Sequence, residues 1–316
     1  MALLKYILKK MLMLLPVLVG ISIVAFALGI MSPGDPVDQV LNPNGNESYT
    51  QAEYDAMAAK MGLDQPAVVQ YFNWVDGLAH GDLGRSFFTN KSVMNQLVKR
   101  IPISLKLAGF SMILTIVFGV GFGVLMAVKK DQLLDHVLGT FSTVALSVPG
   151  FWIAIVLIFL FAEQWKLLPS SGISGGSGFI LPAVTLALPS IGVCARLTRS
   201  AILDEIGRQY MTVADAKGMS RRHAVICHAF GNALIPIITY LGNHMAGIIG
   251  GASIVETIFA IPGIGSYAIA GVQSKDYYVV QAYVLFSGCI YVLTNILIDL
   301  IYIALDPKIR AGEAVE

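Results

Sequence analysis

The sequence predicts an all-α, polytopic membrane protein with about six transmembrane helices. Of its 316 residues, 56% are hydrophobic and 13% are charged, whereas about a quarter are charged in an ordinary soluble domain. Six apolar stretches are also long enough to span the bilayer, because about 20 helical residues cross a hydrocarbon core of roughly 30 Å. These stretches are residues 11–31, 103–128, 137–162, 180–202, 233–255 and 282–305.

The first stretch is predicted to be a retained helix rather than a cleaved signal peptide. Three lysines precede it, and Ala25-Phe26-Ala27 resembles a signal-peptidase site. That site lies inside the apolar run, which is about 20 residues long, whereas the apolar region of a signal peptide is about 7–15 residues long. The run therefore has the length of a membrane span.

The outer segment, residues 32–100, is predicted to be a small folded element. Thr50 and Glu53 have the spacing of a capping box that opens a helix toward Met61. A second amphipathic stretch follows, and its apolar residues share one helical face; they are Val68, Val69, Phe72, Val75 and Leu78. This face is expected either to pack on the mouth of the helix bundle or to receive a partner that delivers cargo.

The fourth stretch is interrupted by Pro182 and Pro189. A proline inside a membrane span frees a backbone carbonyl, which neighbouring helices must then satisfy. This stretch is therefore expected to be buried within the bundle.

Lys and Arg distribution predicts that both termini lie in the cytoplasm, because inner loops are enriched in these residues. With the N-terminus inside, thirteen of them fall in inner segments and seven in outer ones. Five of those seven lie in the long outer segment, where the charge rule is weak.

Ionisable side chains within the predicted spans are few: Lys106, His244 and Asp299. An ion-coupled carrier should place more of them near the membrane midplane. The chain also has no GxxxxGK[ST] or HExxH motif. Residues 172–176 match GxSxG, but they lie in a Gly/Ser-rich loop without the preceding strand that a nucleophile elbow needs. The sequence therefore predicts a transport protein that is not an enzyme and has no nucleotide site of its own.

Asn243, His244 and Gly247 in the fifth stretch are candidates to line a translocation path. Gly247 stands at i+4 from Asn243 and at i+3 from His244, which places the three on roughly one helical face. An imidazole in a pore can also bind a borderline-soft metal ion transiently. Packing of a hydrogen-bonded histidine is the alternative role for His244, and no resident metal is predicted.

Residues 196–230 form the longest inner segment, and six Lys and Arg make it too polar for lipid. Gly218 is a natural helix stop, and Ser220 is a natural cap for a following helix. The pattern predicts a helix-turn-helix across the inner face, which is either a solvated loop or a docking element for a cytoplasmic protein.

Several motifs resemble the binding-protein-dependent ABC importer permeases of the dipeptide, oligopeptide and nickel branch. The main one is Ala214-Asp215-Ala216-Lys217-Gly218 followed by Ala233-Leu234-Ile235-Pro236, which is similar to the EAA-type coupling loop of that family. The others are residues 81–86, residues 255–259 with Pro262-Gly263, Asp276-Tyr277, and residues 305–308 with Arg310. Together they cover nearly the whole chain.

This resemblance implies the type I fold of ABC importer permeases and a short coupling helix seated on an ATPase subunit. The implied coupling residues are Thr212, Val213, Ala214, Asp215, Ala216, Lys217, Gly218, Met219, Ser220, Arg221 and Arg222. Thr212 and Asp215 depart from the family pattern, so the groove of the ATPase partner is expected to carry altered charge.

The implied complex contains a second permease, two ATPases that use ATP, and an extracytoplasmic solute-binding protein. It would lie in a bacterial or archaeal inner membrane, in contact with lipid and not with nucleic acid. This chain would bind no cofactor. The expected cargo is a short peptide, with nickel or a nickel chelate as the alternative; a self-contained ion-coupled carrier is the alternative of another class.

The predicted organisation follows from these elements. Residues 1–31 form the cytoplasmic N-terminus and first helix, and residues 32–100 form the extracytoplasmic segment. Residues 101–305 form a core of five transmembrane helices with a cytoplasmic coupling loop at 203–232. Residues 306–316 form a cytoplasmic tail.

Overall fold

A computed structural model describes residues 2–31, 34–42, 46, 48–173, 175–211, 218, 223 and 225–305. Within this part the secondary structure is helical, apart from one isolated β-bridge between Arg85 and Ser92. The helices are α1 (Ala2–Ile30), α2 (Pro36–Leu41), α3 (Gln51–Met61), α4 (Ala67–Ala79), α5 (Val93–Leu114), α6 (Gly121–Val128), α7 (Leu133–Ser147), α8 (Gly150–Leu157), α9 (Ile180–Ile206), α10 (Phe230–Gly251), α11 (Ser253–Ile258), α12 (Ile264–Gln273) and α13 (Tyr277–Leu305). The predicted all-α fold is confirmed.

Shorter helical turns continue several of these helices. Wide π-helical turns are formed by Thr115–Val120, Ile158–Gln164 and Val225–Ala229, and a 3₁₀ turn is formed by Gly176–Phe179. By length and composition, three described helices could each cross a membrane: Val93–Val128, Gly176–Ile206 and Tyr277–Tyr302. A bent helix pair could supply a fourth crossing, and Pro16–Ile30 within α1 is a shorter apolar helix.

The third predicted stretch, residues 137–162, is not one straight helix. Leu133–Ser147 and Gly150–Gln164 meet at an angle of 102°. Pro149 explains the break, because a proline disfavours the helical conformation of the residue before it. Val148 accordingly adopts an extended conformation with φ −86° and ψ 128°.

The chain divides into two compact units. Unit 1 comprises Met1–Ser104 and Pro262–Val292, and unit 2 comprises Leu105–Ile261 and Leu293–Glu316. Helices α5 and α13 each contribute residues to both units. The two units are described separately below.

Helix α9 is the centre of unit 2. It contacts α6, α7, α8 and α10, and 67% of its most apolar window is buried. Small residues allow this packing: a Cβ at Gly119 would lie 2.7 Å from the Cys194 Cβ, and one at Gly192 would lie 2.5 Å from the Ser142 carbonyl oxygen. The prediction that this stretch is buried within the bundle is confirmed.

The capping box of the outer segment is confirmed in unit 1. The Thr50 hydroxyl accepts a hydrogen bond from the Glu53 backbone N–H at 3.3 Å, and the Glu53 carboxylate accepts one from the Thr50 N–H at 2.7 Å. This second bond lowers the pKa of Glu53 below its ordinary value. Helix α3 then ends at Gly62, whose φ of 70° lies in the left-handed region.

Candidate functional site

The predicted path residues lie on α10 in unit 2, where they divide between two surroundings. Asn243 and Gly247 are exposed, and an added Cβ at Gly247 would meet nothing within 4 Å. His244 is half-buried, and its ring stacks on Tyr240 with centroids 5.5 Å apart and planes 5° apart. Asn243 and Gly247 therefore form an uncovered strip of the helix, while His244 is turned into the packing beside it.

His244 keeps one hydrogen-bonding atom unused. Its Nε2 is buried and has no partner among the described residues. The neighbouring Tyr240 is anchored separately, because its hydroxyl donates to the Ser190 carbonyl oxygen at 3.2 Å. In the part of the chain that the structure describes, no three His, Cys, Asp or Glu side chains come together in a way that could hold a metal ion.

Of the predicted coupling residues, Gly218 lies within the described part of the chain. It is exposed, and its φ of 74° is left-handed, a conformation that glycine adopts without strain. The other ten predicted coupling residues lie outside the described residues: Thr212, Val213, Ala214, Asp215, Ala216, Lys217, Met219, Ser220, Arg221 and Arg222.

The two arms of the predicted coupling loop are joined at their base through Tyr210. The Tyr210 hydroxyl donates to a Glu205 carboxylate oxygen at 2.8 Å and accepts a hydrogen bond from the Asn232 amide at 3.0 Å. Arg208 forms an ion pair with the same carboxylate group at 3.0 Å. Burial raises the pKa of the Tyr210 hydroxyl, so it stays protonated at neutral pH. We call Glu205, Tyr210 and Asn232 the loop staple.

An apolar cluster lies beneath the loop staple and fixes both arms. The buried side chains of this cluster are Ala127, Ile202, Val225, Ala229, Ala233 and Ile237. Ile202 belongs to the arm that enters the loop, and Val225 to Ile237 belong to the arm that leaves it. The base of the loop is therefore held by apolar packing and by hydrogen bonds together.

A second polar anchor joins α7 to α9 in unit 2. Arg199 contacts the two carboxylate oxygens of Asp135, one through Nε and one through Nη2, each at 2.7 Å. The Asp135 side chain is 6% exposed, and it also accepts a hydrogen bond from the Asp131 N–H at 2.9 Å. Arg199 is one of the inner charges predicted from the sequence, but no spacing or motif in the sequence indicates that it pairs with Asp135, 64 residues away.

Two short motifs that are far apart in the sequence meet in unit 1. The Asp276 carboxyl faces the Ser86 hydroxyl and the backbone N–H groups of Phe87, Phe88 and Val279, which act as its donors, while its Oδ1 is buried without a hydrogen-bond partner among the described residues. Asp276 is 1% exposed, and burial raises the pKa of its carboxyl above the ordinary value. This carboxyl thus ties residues 86–88 to the first turn of α13.

Aromatic packing completes the same junction. The Phe87 ring lies 4.8 Å from the Tyr278 ring. Gly84 has a φ of 82°, and a Cβ there would lie 2.8 Å from the Tyr278 ring. We call Gly84, Ser86, Phe87, Asp276 and Tyr278 the cap cluster. Three of these residues, Gly84, Ser86 and Asp276, belong to the motifs 81–86 and 276–277 that resemble the permease family.

The amphipathic face predicted for residues 68–78 is α4, and only part of that face packs. Trp74 is the buried residue of this helix, and Leu78 packs against an apolar cluster of unit 1. Val68 and Phe72 are 66% and 64% exposed. Within the described structure, the last turns of this face therefore pack in unit 1, while its first turns are uncovered.

The loop with the GxSxG pattern is held by backbone contacts. The Gly172 N–H donates to the Phe259 carbonyl oxygen at 2.8 Å, and Gly172 and Gly175 have positive φ angles of 79° and 67°. Ser174 lies outside the described residues. The glycines serve turns here, as expected from their loop context.

Comparison with known proteins gives matches along almost the entire chain. Residues 119–311 match the family model described as the binding-protein-dependent transport system inner membrane component, and residues 3–108 match the N-terminal model of such membrane components. A "Probable peptide ABC transporter permease protein" from Sinorhizobium fredii is 36% identical over 96% of this chain and 99% of its own length. The "Dipeptide transport system permease protein DppB" from Escherichia coli is 34% identical over 97% of this chain and 99% of its own length.

Among solved structures, an inward-facing form of the MetNI methionine ABC transporter is similar to this chain. It matches with a TM-score of 0.58 and 18% identity, over 67% of this chain and 97% of that one. At this level of identity the likeness concerns the fold alone.

Proposed function

The chain belongs to the family of binding-protein-dependent transport system inner membrane components, and on this basis we propose that it is the permease subunit of an ATP-driven importer of short peptides. Membership makes the chain a multi-pass inner membrane protein and a transport subunit rather than an enzyme. Membership also implies a complex with ATPase and binding-protein partners. The cargo, the composition of the complex and the orientation of the termini are part of the proposal.

The observation that carries the peptide assignment is similarity over nearly the full length to two permeases named for peptide transport. The match to both relatives includes the outer segment, because it covers 96% and 97% of this chain. In the proposed complex, this chain and a second permease enclose the path, two ATPases hydrolyse ATP, and an extracytoplasmic binding protein delivers the peptide.

Coupling to ATP is assigned to residues 212–222, held at their base by the loop staple. A helix that ends at a left-handed glycine can place a short following helix in a groove on a partner. The two arms of the loop, which lead from α9 and into α10, must be rigid for this role. Motion of the ATPase would otherwise bend the loop and leave α9 and α10 where they are. The Tyr210 hydrogen bonds and the apolar cluster below them supply that rigidity.

The path is assigned to the uncovered strip of α10 that contains Asn243 and Gly247. An amide and a glycine offer hydrogen bonding and space without a fixed charge, which suits the neutral backbone of a peptide. With the inner charges of the sequence on the cytoplasmic side, both termini would be cytoplasmic. His244 motivates the alternative cargo, nickel or a nickel chelate, because its Nε2 is buried without a described partner.

The test is ATP-dependent uptake in vesicles that contain the whole complex, with a labelled dipeptide and labelled nickel offered in parallel. We compare wild type with Gly218→Pro, since proline requires a φ near −65° and Gly218 has 74°. Gly109→Ala is the matched control, because Gly109 lies within α5 and an added Cβ would meet nothing within 4 Å.

We expect dipeptide uptake by wild type and by Gly109→Ala, and loss of both uptake and ATPase co-purification in Gly218→Pro. Uptake of nickel alone would replace the peptide assignment by the nickel alternative. Uptake that persists without any ATPase would overturn the importer proposal in favour of an ion-coupled carrier.

A further inference from the structure

Helix α4 has two apolar surfaces, one packed and one exposed, whereas a helix surrounded by water would expose mainly polar residues. One surface packs on α1: the Phe26 ring lies 5.3 Å from the Tyr71 ring and 6.0 Å from the Trp74 ring. The other surface is apolar and uncovered, with Val68 66% and Phe72 64% exposed. Asp76 is the one charged residue in its 13-residue sequence.

Tyr71 shows which way this helix faces relative to α1. Its hydroxyl lies 2.9 Å from the Ser22 hydroxyl. Ser22 precedes Ile30, the last residue of α1, by eight residues, or about 12 Å at 1.5 Å per residue. The Tyr71 side chain therefore reaches from α4 along α1 toward the middle of that apolar helix.

The exposed apolar residues lie beside the side of the helix that carries Tyr71. Val68 stands at i−3 from Tyr71 and borders it on the helix surface, and Phe72, four residues after Val68, lies about 100° around the helix from Tyr71. Asn73 lies on the opposite side of the helix and is exposed. The side that carries Val68 and Phe72 is therefore apolar, whereas the side opposite Tyr71 is mixed, with Asn73 and with Val69, which is 40% exposed.

The uncovered surface of α1 at this level is aliphatic. Ile23 and Val24 are 52% and 54% exposed, and Leu28 is 49% exposed. Exposed apolar surface of this kind marks a contact with lipid or with another protein, and for an apolar helix of a multi-pass inner membrane protein we assign it to lipid. The exposed apolar residues of α4 belong to the same unit and receive the same assignment.

Helix α3 gives an internal contrast. It has the same general length as α4, but it has no buried residue and it carries Glu53, Asp55 and Lys60. Its composition suits water on every side. The difference between two consecutive helices of the outer segment indicates that they lie in different media.

From these contacts we propose that α4 is an interfacial helix that inserts Val68 and Phe72 into the lipid leaflet at the C-terminal end of α1. An amphipathic helix of this kind buries its apolar face about 5–10 Å into the boundary between headgroups and acyl chains. The Tyr71–Ser22 pair sets the depth, and it gives the Tyr71 hydroxyl a partner in hydrocarbon, while the Ser22 hydroxyl also donates to the Val19 carbonyl oxygen at 2.8 Å. This inference concerns the surface of one subunit and does not depend on the cargo.

The test measures the depth of single spin labels in the complete complex reconstituted in lipid nanodiscs. The label is placed at Val68→Cys, Phe72→Cys, Asn73→Cys and Ala56→Cys, in a background without native cysteines that assembles and transports as wild type does. Oxygen, which partitions into acyl chains, and a water-soluble nickel chelate are used as collision reagents. Asn73 is the matched control on the same helix, and Ala56 is the exposed control on α3.

We expect labels at positions 68 and 72 to collide more often with oxygen than with the nickel chelate, and labels at 73 and 56 to show the reverse order. The same order at all four positions would place α4 in water and overturn the proposal. Protection of positions 68 and 72 from both reagents would also overturn it, because a protein would then cover this face instead of lipid.

Discussion

At the scale of single residues, Gly84 meets two separate requirements of the cap cluster. Its φ of 82° is left-handed, and an added Cβ would lie 2.8 Å from the Tyr278 ring. Gly81 meets only the first requirement, since its φ is 76° but an added Cβ would touch nothing within 4 Å. The two glycines therefore allow backbone strain to be separated from crowding.

We expect Gly84→Ala to destabilise unit 1 more than Gly81→Ala. Left-handed backbone costs a non-glycine residue about 1–2 kcal/mol, and overpacking at Gly84 adds about 1–3 kcal/mol. Thermal unfolding of the purified chain in detergent measures both variants. Equal losses would mean that the Tyr278 ring moves aside and that the contact does not constrain the cap cluster.

Asp276 predicts a specific pH dependence. Burial raises the pKa of its carboxyl, so the folded state favours the protonated acid relative to the unfolded state. The stability that this group contributes is therefore greatest below the unfolded pKa of about 3.9 and falls as pH rises through the folded pKa. Asp276→Asn does not titrate and should lack this decline.

The measurement is the difference in melting temperature between wild type and Asp276→Asn across a pH series from 4 to 8, in ~1-unit steps. We expect the advantage of wild type to shrink as pH rises. An advantage that grows with pH would mean that the four donors around the carboxyl outweigh its burial and hold it ionised.

At the scale of elements, local signals predicted local structure well. The Thr50–Glu53 spacing placed the start of α3 correctly, because both hydrogen bonds of a capping box lie within one turn. Apolar length predicted six spans, of which three described helices, or four with the bent pair, have the length and composition to cross a membrane, and it carried no information on helix direction. The 102° bend between α7 and α8 therefore required the rule for the residue before a proline, applied at Val148 and Pro149.

Helix α3 should depend on its cap, because it has no buried residue to hold it. We expect Thr50→Ala to cost about 1 kcal/mol of helix stability and to speed hydrogen exchange in residues 51–61 while α9 exchanges as before. Ser48→Ala, two residues earlier and outside the capping box, is the control. Unchanged exchange in Thr50→Ala would show that contacts from other parts of the outer segment hold α3.

At the scale of the whole molecule, the contacts that organise both units are distant in sequence. Asp135 pairs with Arg199, Tyr210 bonds Asn232, and Ser86 bonds Asp276. Each partner is an ordinary polar residue in a loop or a helix, so no periodicity or spacing marks it. The sequence singled out the motifs of the cap cluster through family resemblance, but only the fold shows that they bond each other.

The loop staple yields a prediction for the complete transporter. Tyr210→Phe removes the hydrogen bond to Asn232 that joins the arms of the coupling loop and the bond to Glu205 within the entering arm, while it keeps the aromatic ring. We expect the complex to assemble and hydrolyse ATP, but to hydrolyse more ATP per peptide imported, because the loop transmits motion less rigidly. Tyr49→Phe, which loses a hydroxyl bond to Asp38 in the outer segment, should leave this ratio unchanged.

An unchanged ratio in Tyr210→Phe would remove the loop staple from the coupling mechanism. Loss of assembly instead would show that the hydroxyl is needed for the fold of the loop, and therefore that its role is structural. The two quantities are measured on the same vesicles, as phosphate released and labelled dipeptide retained.

The cap cluster also imposes an order on biogenesis. Ser86 leaves the ribosome roughly 190 residues before Asp276, and at about 5–20 residues per second this interval lasts on the order of 10–40 s. During that time the donors of residues 86–88 have no carboxyl to bond. The bonds between Asp276 and residues 86–88 can form only when α13 is inserted with its N-terminal end on the same side of the membrane as Ser86. A final helix inserted in the opposite orientation would leave Asp276 on the other side of the membrane from residues 86–88, and the cap cluster could not close.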